Sequence, residues 1–143
     1  MSVVRDFESA FNRQDMDAIL ACFTADGSYV DTFFGKHAGR ESLKAMFARM
    51  WREGRDYRWT METIVETPGH AAVEWTFSYV VTDAVPRSAG RRVSFPGMSL
   101  FELEGGRIAA YREYFDEGVA LLQLGFEPGS LAKVLAKRLP RPA

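Results

Sequence analysis

From Arg58 onward the apolar residues change their repeat from about 3.6 to 2, and that switch limits what the chain can build. Before it, Val3, Val4, Phe7 and Phe11 form one stripe of a first helix, which Asn12 to Asp15 interrupts. Asp15 then caps a second helix carrying Met16, Ile19, Leu20 and Phe23, closed by Ala25-Asp26-Gly27. Ser28 to Thr32 reads as a brief strand with Tyr29 and Asp31 on one face, and Phe33 to Gly39 as a loop. Arg40 to Glu53 reads as a third helix that buries Leu43, Met46, Phe47, Met50 and Trp51.

After the switch, 58–66, 71–82, 91–103 and 107–116 alternate as strands, with hairpin turns at Pro68-Gly69 and Glu104-Gly105-Gly106 and a longer loop from Asp83 to Gly90. Pro96-Gly97 reads as a bulge that bends the third of these strands. Helices followed by an antiparallel meander predict an α+β domain: a cone, made by a curved antiparallel sheet packed on N-terminal helices. Residues 1–126 form that single domain, 127–139 add a helix that either covers an opening or lies on the surface, and 140–143 form a disordered tail.

The charge balance argues against polyanionic partners. Lysine plus arginine number 18 and acidic residues 19, so no general attraction draws the chain to nucleic acid or an anionic membrane. The apolar runs are too short to span a bilayer, and the first residues lack the pattern of a signal peptide, so the expected location is the cytoplasm. Cys22, the single cysteine, agrees with a reducing compartment and reads as a small core residue. His37 and His70 have no ligand spacing, so no metal is expected. The 11 Phe, 5 Tyr and 3 Trp are more ring than a minimal core needs, and rings that cannot close-pack can line a cavity.

Residues 107–125 carry the chemistry-bearing candidate. Tyr111, Glu113 and Phe115 share a strand face, opposed by Arg112, Tyr114 and Asp116. If the first face points inward, Glu113 loses water and binds its proton more tightly, which suits general acid/base work; if outward, it is an ordinary solvated carboxylate. Val73, Trp75, Phe77 and Tyr79 form the aromatic face of the second long strand. Trp51, Trp59 and Trp75 divide between filling a core and lining a cavity, with Trp75 the lining candidate. Arg40 and Arg112 read as surface or interface ion-pair partners, and Arg91, Arg92, Lys133, Lys137 and Arg138 as solvated faces.

The element order and three strings, FNRQDMDAILACFTADGSYVD, GRESLKAMF and GGRIAAYREYFDEGVALLQLG, resemble the SnoaL-like polyketide cyclases of the nuclear transport factor 2-like superfamily. The resemblance places Glu113 at the acid/base carboxylate, with Glu in place of the family's Asp. Compared with ketosteroid isomerase, Asp31 falls at the proton-shuttling carboxylate, while Phe7 and Ser99 replace the two oxyanion donors. Compared with limonene epoxide hydrolase, Trp75 and Phe77 replace an arginine and an aspartate. The resemblance thus implies an enzyme without cofactor or metal, acting on an apolar carbonyl compound by cyclisation, dehydration or isomerisation. Glu113 and Asp31 are its expected catalytic pair. Tyr29, Tyr79, Ser99 and Tyr111 are the expected hydrogen-bonding contacts to substrate, and Phe11, Phe34, Trp75 and Phe77 the apolar ones. A homodimer through the outer sheet face, half polar with Thr76, Ser78 and Val80, is also implied. The alternatives are a ligand-binding domain without turnover and a dimeric interaction module with a closed cone.

Overall fold

The computed structural model describes residues 2–142. Helices α1 (Val3–Asn12) and α2 (Met16–Ala21) form a hairpin, with Ser2 and Asp15 as their side-chain caps. Strands β1 (Phe23–Asp31) and β2 (Gly35–Ala38) precede helix α3 (Arg40–Glu53). The meander comes next as β3 (Gly54–Glu66), β4 (His70–Val81), β5 (Arg92–Glu104) and β6 (Arg107–Phe115), and the chain ends in α4 (Glu117–Gln123) and α5 (Pro128–Ala136). The strands make one curved, unclosed sheet in the order β2-β1-β6-β5-β4-β3. This is the expected α+β cone. None of the helices among the described residues is long and apolar enough to cross a membrane.

The first strand differs from its prediction in two ways. It begins at Phe23, because Ala25-Asp26-Gly27, which reads as a helix stop, is a bulge inside the strand: the register with β6 jumps from Phe23↔Ile108 to Ser28↔Ala110. A Cβ on Gly27 would stand 2.8 Å from the Ile108 carbonyl oxygen, so the close passage of β6 selects glycine there. It also runs parallel to β6, an addition that the meander pattern did not contain. Within Phe33–Gly39 the expected loop holds β2, hairpinned on β1 with Asp31 opposite Gly35.

Pro96-Gly97 is not a bulge. The β4–β5 register runs unbroken through Thr76↔Pro96 and Trp75↔Gly97, and pairing with β6 stops at Gly97↔Phe115, so Pro96 lies beyond the last β6 partner. Beyond that point the Gln123 side-chain amide substitutes for a strand: its Nε2 donates to Ser94 O at 2.8 Å and its Oε1 accepts from Ser94 N at 2.8 Å. Gly97 is required for another reason, since an added Cβ would fall 2.4 Å from the Trp75 ring.

The core fills the space between α1, α3 and the inner sheet face. Phe7 is its centre, with ring centroids of Trp59, Tyr111 and Phe101 at 5.2, 5.5 and 5.8 Å. The polar side of α1 closes the outer edge of β3: the Asn12 amide exchanges two 2.8 Å bonds with the Trp59 backbone, and Glu8 accepts from Met61 N at 2.6 Å. Cys22 is a buried core residue, and burial pushes its thiol up to about 11. Arg112 pairs with Glu102 on the outer face.

Replacing Gly97 by alanine forces the buried Trp75 ring off its position. The expected cost is about 1–3 kcal/mol of overpacking. Thermal unfolding followed by tryptophan fluorescence measures it; an unchanged melting temperature and emission maximum would show that the ring does not lie over Gly97.

Candidate functional site

The β5–β6 register sets Ser99 opposite Glu113 and Phe101 opposite Tyr111, while β1 brings Tyr29 alongside Tyr111 from the other side. Alternation then turns all of these inward. The two tyrosine rings stack at 4.4 Å, so their hydroxyls converge on one carboxyl: Tyr111 Oη donates to Glu113 Oε2 at 2.6 Å and Tyr29 Oη to Oε1 at 3.3 Å.

Behind Tyr111 the hydrogen bonds continue in one direction. Ser99 Oγ donates to Tyr111 Oη at 2.7 Å, and Trp75 Nε1 donates to Ser99 Oγ at 2.7 Å. An indole N–H can only donate. Ser99 accepts at that end and gives its own proton to Tyr111, whose single proton goes to Glu113.

Asp31 ends β1 beside Glu113 and accepts the Phe34 backbone N–H across the turn into β2. Both carboxyls are sequestered, Glu113 at 9% exposure and Asp31 at 8%. Burial pushes Glu113 well above the ordinary carboxylate range, the Asp31 charge and its hydrogen bond push it further, and the bonds from Tyr111 and Tyr29 only partly oppose this. Burial also raises Asp31, but its bond from Glu113 and the backbone N–H groups of Phe34 and Phe33 favour its charged form. Two carboxyls that cannot both ionise share one proton, and these surroundings favour it on Glu113. Burial raises the Tyr29 and Tyr111 hydroxyls as well, so both remain donors.

The pair faces a cavity of about 530 Å³, within the range of small-molecule sites. Tyr29, Asp31, Phe34, Trp75, Phe77, Tyr79 and Glu113 line it. Three other expected contacts do not: Ser99 and Tyr111 stand behind Glu113 as its hydrogen-bond support, and Phe11 is fully buried against Trp59 and Phe47. His37 does not line the cavity either. Its Nε2 donates to Phe34 O at 2.6 Å, leaving Nδ1 facing Ser42 Oγ at 3.0 Å, so it braces Phe34.

Several lining residues were not among the expected contacts. Trp59 and Phe95 lie on inward positions of β3 and β5, where the strand alternation contained that signal, while Tyr57 lies before the expected start at Arg58, in the part of β3 that begins at Gly54. Leu121, Leu124 and Phe126 come from the apolar turn after β6, and only its packing over β5 reveals that it forms a wall. Ser88 Oγ, donating to Leu124 O at 2.7 Å, ties the 83–90 loop to that wall. Arg49, held by Glu53 at 3.1 Å and set 5.3 Å over the Phe34 ring, stands at the rim.

A family model described as a SnoaL-like domain matches residues 4–111. No curated protein matches the sequence significantly. Among solved structures, a hypothetical protein with a ketosteroid isomerase-like fold from Catenulispora acidiphila, in complex with trimethylamine, superposes with a TM-score of 0.77 at 22% identity, covering 87% of this chain and 93% of that one. A candidate polyketide cyclase from Silicibacter gives 0.75 at 25% identity, covering 85% and 91%. An epoxide hydrolase-like protein from M. tuberculosis, of the LEH type, gives 0.71 at 21% identity, covering 94% and 93%. Likeness at these identities establishes the fold and leaves the reaction open. With most of its length matched by that family model, the chain belongs to the SnoaL-like domain family.

Proposed function

We propose that the protein is a small-molecule enzyme that uses carboxylate general acid/base catalysis on an apolar carbonyl compound. The observation that carries this reading is the buried Glu113–Asp31 pair at the inner end of a cavity otherwise walled by rings and aliphatic side chains. Burying two carboxyls is costly, and nothing in the packing of the core requires them. In the reaction, ionised Asp31 removes a proton from the carbon next to the substrate carbonyl. Protonated Glu113 gives its proton to the carbonyl oxygen, and the product of the step is a neutral enol. Protonated Asp31 then gives its proton to another carbon of the enol, to the departing β-hydroxyl, which leaves as water, or to a second carbonyl oxygen as the enol carbon attacks that carbonyl, while ionised Glu113 takes back the enol O–H proton, giving isomerisation, dehydration or ring closure. Each of these routes returns the proton to Glu113 and the charge to Asp31.

Fold relatives include an epoxide hydrolase-like protein, yet β4 presents Trp75 and Phe77 to the cavity and contributes no further charged group for activating water. The reading includes a homodimer through the outer sheet face, supported by Met98 and Tyr114, which pair across β5 and β6 at 51% and 66% exposure. It also includes a cytoplasmic location, with which a single free, buried Cys22 agrees.

Glu113→Gln and Asp31→Asn should each lower kcat by about 10²–10⁴-fold, the usual contribution of a positioned acid or base. The assay is deuterium incorporation from heavy water at the carbon next to the carbonyl, across a panel of apolar ketones and diketones, with binding followed by tryptophan fluorescence. Retained binding with lost exchange is expected. Exchange at the wild-type rate in both variants would overturn the acid/base roles.

The raised Glu113 also makes a stability prediction. Below the unfolded-state carboxylate pKa both states are protonated and the group has no effect; above it the unfolded chain ionises first, and stability falls by up to about 1.4 kcal/mol per pH unit. That loss continues until the folded group ionises. Glu113→Gln removes it, so urea unfolding should show the variant gaining on wild type from pH 4 to pH 7.5. An equal difference at both pH values would contradict the raised carboxyl.

A further inference from the structure

The matched family segment ends at residue 111, and the C-terminal segment beyond it is tied back to the site by one side chain. Arg138, just past α5, grips Glu117 at the start of α4: its Nε lies 3.3 and 3.2 Å from the two carboxylate oxygens, and its Nη2 lies 3.2 Å from Oε1. The same Nη2 donates to the Thr32 carbonyl at 2.9 Å. Glu117 is only 7% exposed, and Arg138 is the cation paired with it. None of the residues of α5 is buried, with Leu131, Val134 and Leu135 only half covered, so apolar packing holds this helix weakly. The sequence places Arg138 on a solvated face; the structure makes it the polar anchor of the C-terminal segment.

Thr32 is the residue after Asp31, and Phe33 and Phe34 of the same turn line the cavity. The turn is therefore fastened twice: from inside by Asp31, which accepts the Phe34 N–H, and from outside by Arg138 on the Thr32 carbonyl. Through Glu117 the same guanidinium fixes α4, whose Leu121 also lines the cavity. We infer that Arg138 is a positioning residue: it clasps the 32–34 turn to α4, thereby fixing Asp31 and keeping water from the carboxyl pair. The role is indirect, since Arg138 does not line the cavity. A planar fork suits it, because one group must serve a carboxylate and a carbonyl in different directions at once. The inference rests on the acid/base reading of Asp31 and Glu113.

The test needs no substrate. In Arg138→Gln, amide hydrogen exchange at Phe33 and Phe34 should become about tenfold faster or more, as expected for a local opening that has lost its tie. Exchange in residues 117–123 should rise with it. Carbon-13 NMR titration of the Asp31 carboxyl should show its midpoint falling toward the ordinary range, because burial is the largest influence holding it up. Arg138→Lys restores a positive charge beside Glu117 but has no fork with which to reach Thr32 as well. It should protect 117–123 and leave Phe33 and Phe34 exchanging faster than wild type. Faster exchange confined to residues 128–138, with the Asp31 titration unchanged, would show that Arg138 only docks α5 and would overturn the inference. So would a lysine variant indistinguishable from wild type at Phe33 and Phe34. Both results are separate from a failure of the acid/base reading, which would appear as undiminished turnover in Glu113→Gln.

Discussion

The indole N–H of Trp75 can only donate, and the polarity of the site derives from that asymmetry. Trp75 donates to Ser99, Ser99 to Tyr111 and Tyr111 to Glu113, so a chain of side chains from β4, β5 and β6 ends on one carboxyl as acceptor. A carboxyl held by two tyrosines would ordinarily ionise easily. Here burial and the neighbouring Asp31 outweigh them, and the proton stays. The network therefore orients Glu113 without discharging it. The sheet is built around the same chain: Gly97 lacks a side chain because the Trp75 ring lies over it, and the Tyr29–Tyr111 stack joins β1 to β6 at the height of the carboxyl.

The two ends of the cavity have different physical duties. Rings from β3, β4 and β5 form a rigid wall, interlocked in edge-to-face contacts such as Trp59 on Trp75 at 5.5 Å. The opposite wall is assembled from short pieces, namely the 32–34 turn, the 83–90 loop and α4, which are joined by single polar ties from Ser88 and Arg138. Rigid rings hold the reacting groups in place, and the tied pieces determine how tightly the cavity closes. The SnoaL-like match covers the first wall and the carboxylate strand as far as residue 111, and Glu113, α4 and the clasp lie beyond its end.

Much of this was legible in the residues because period and chemistry agreed. Alternation put Glu113 on one face of 107–116 and Tyr29 with Asp31 on one face of the first strand, the resemblance paired the two carboxylates, and the folded sheet turns both faces to the cavity. The errors fall where a local signal has two physical meanings. Gly27 marks a stop in a helix and a bulge in a strand, and the parallel partner β6, about 80 residues further along the chain, decides between them. Pro96-Gly97 reads as a bend when the strand is considered alone, whereas the glycine answers to a ring on β4. Ser99 and Tyr111 were rightly placed on the inward face, but a strand pattern gives direction and not depth, so support behind Glu113 could not be separated from contact with substrate. Arg138 was invisible because its partners lie 21 and 106 residues away.

The central claim is that at neutral pH Glu113 holds a proton beside an ionised Asp31. Infrared difference spectroscopy between the wild type and Glu113→Gln at pH 7 tests it directly, since a protonated carboxyl has a C=O stretch well separated from the carboxylate bands. A protonated-carboxyl band should be present in the wild type and absent from the variant. A wild-type spectrum without that band, or a band that survives the substitution, would contradict it.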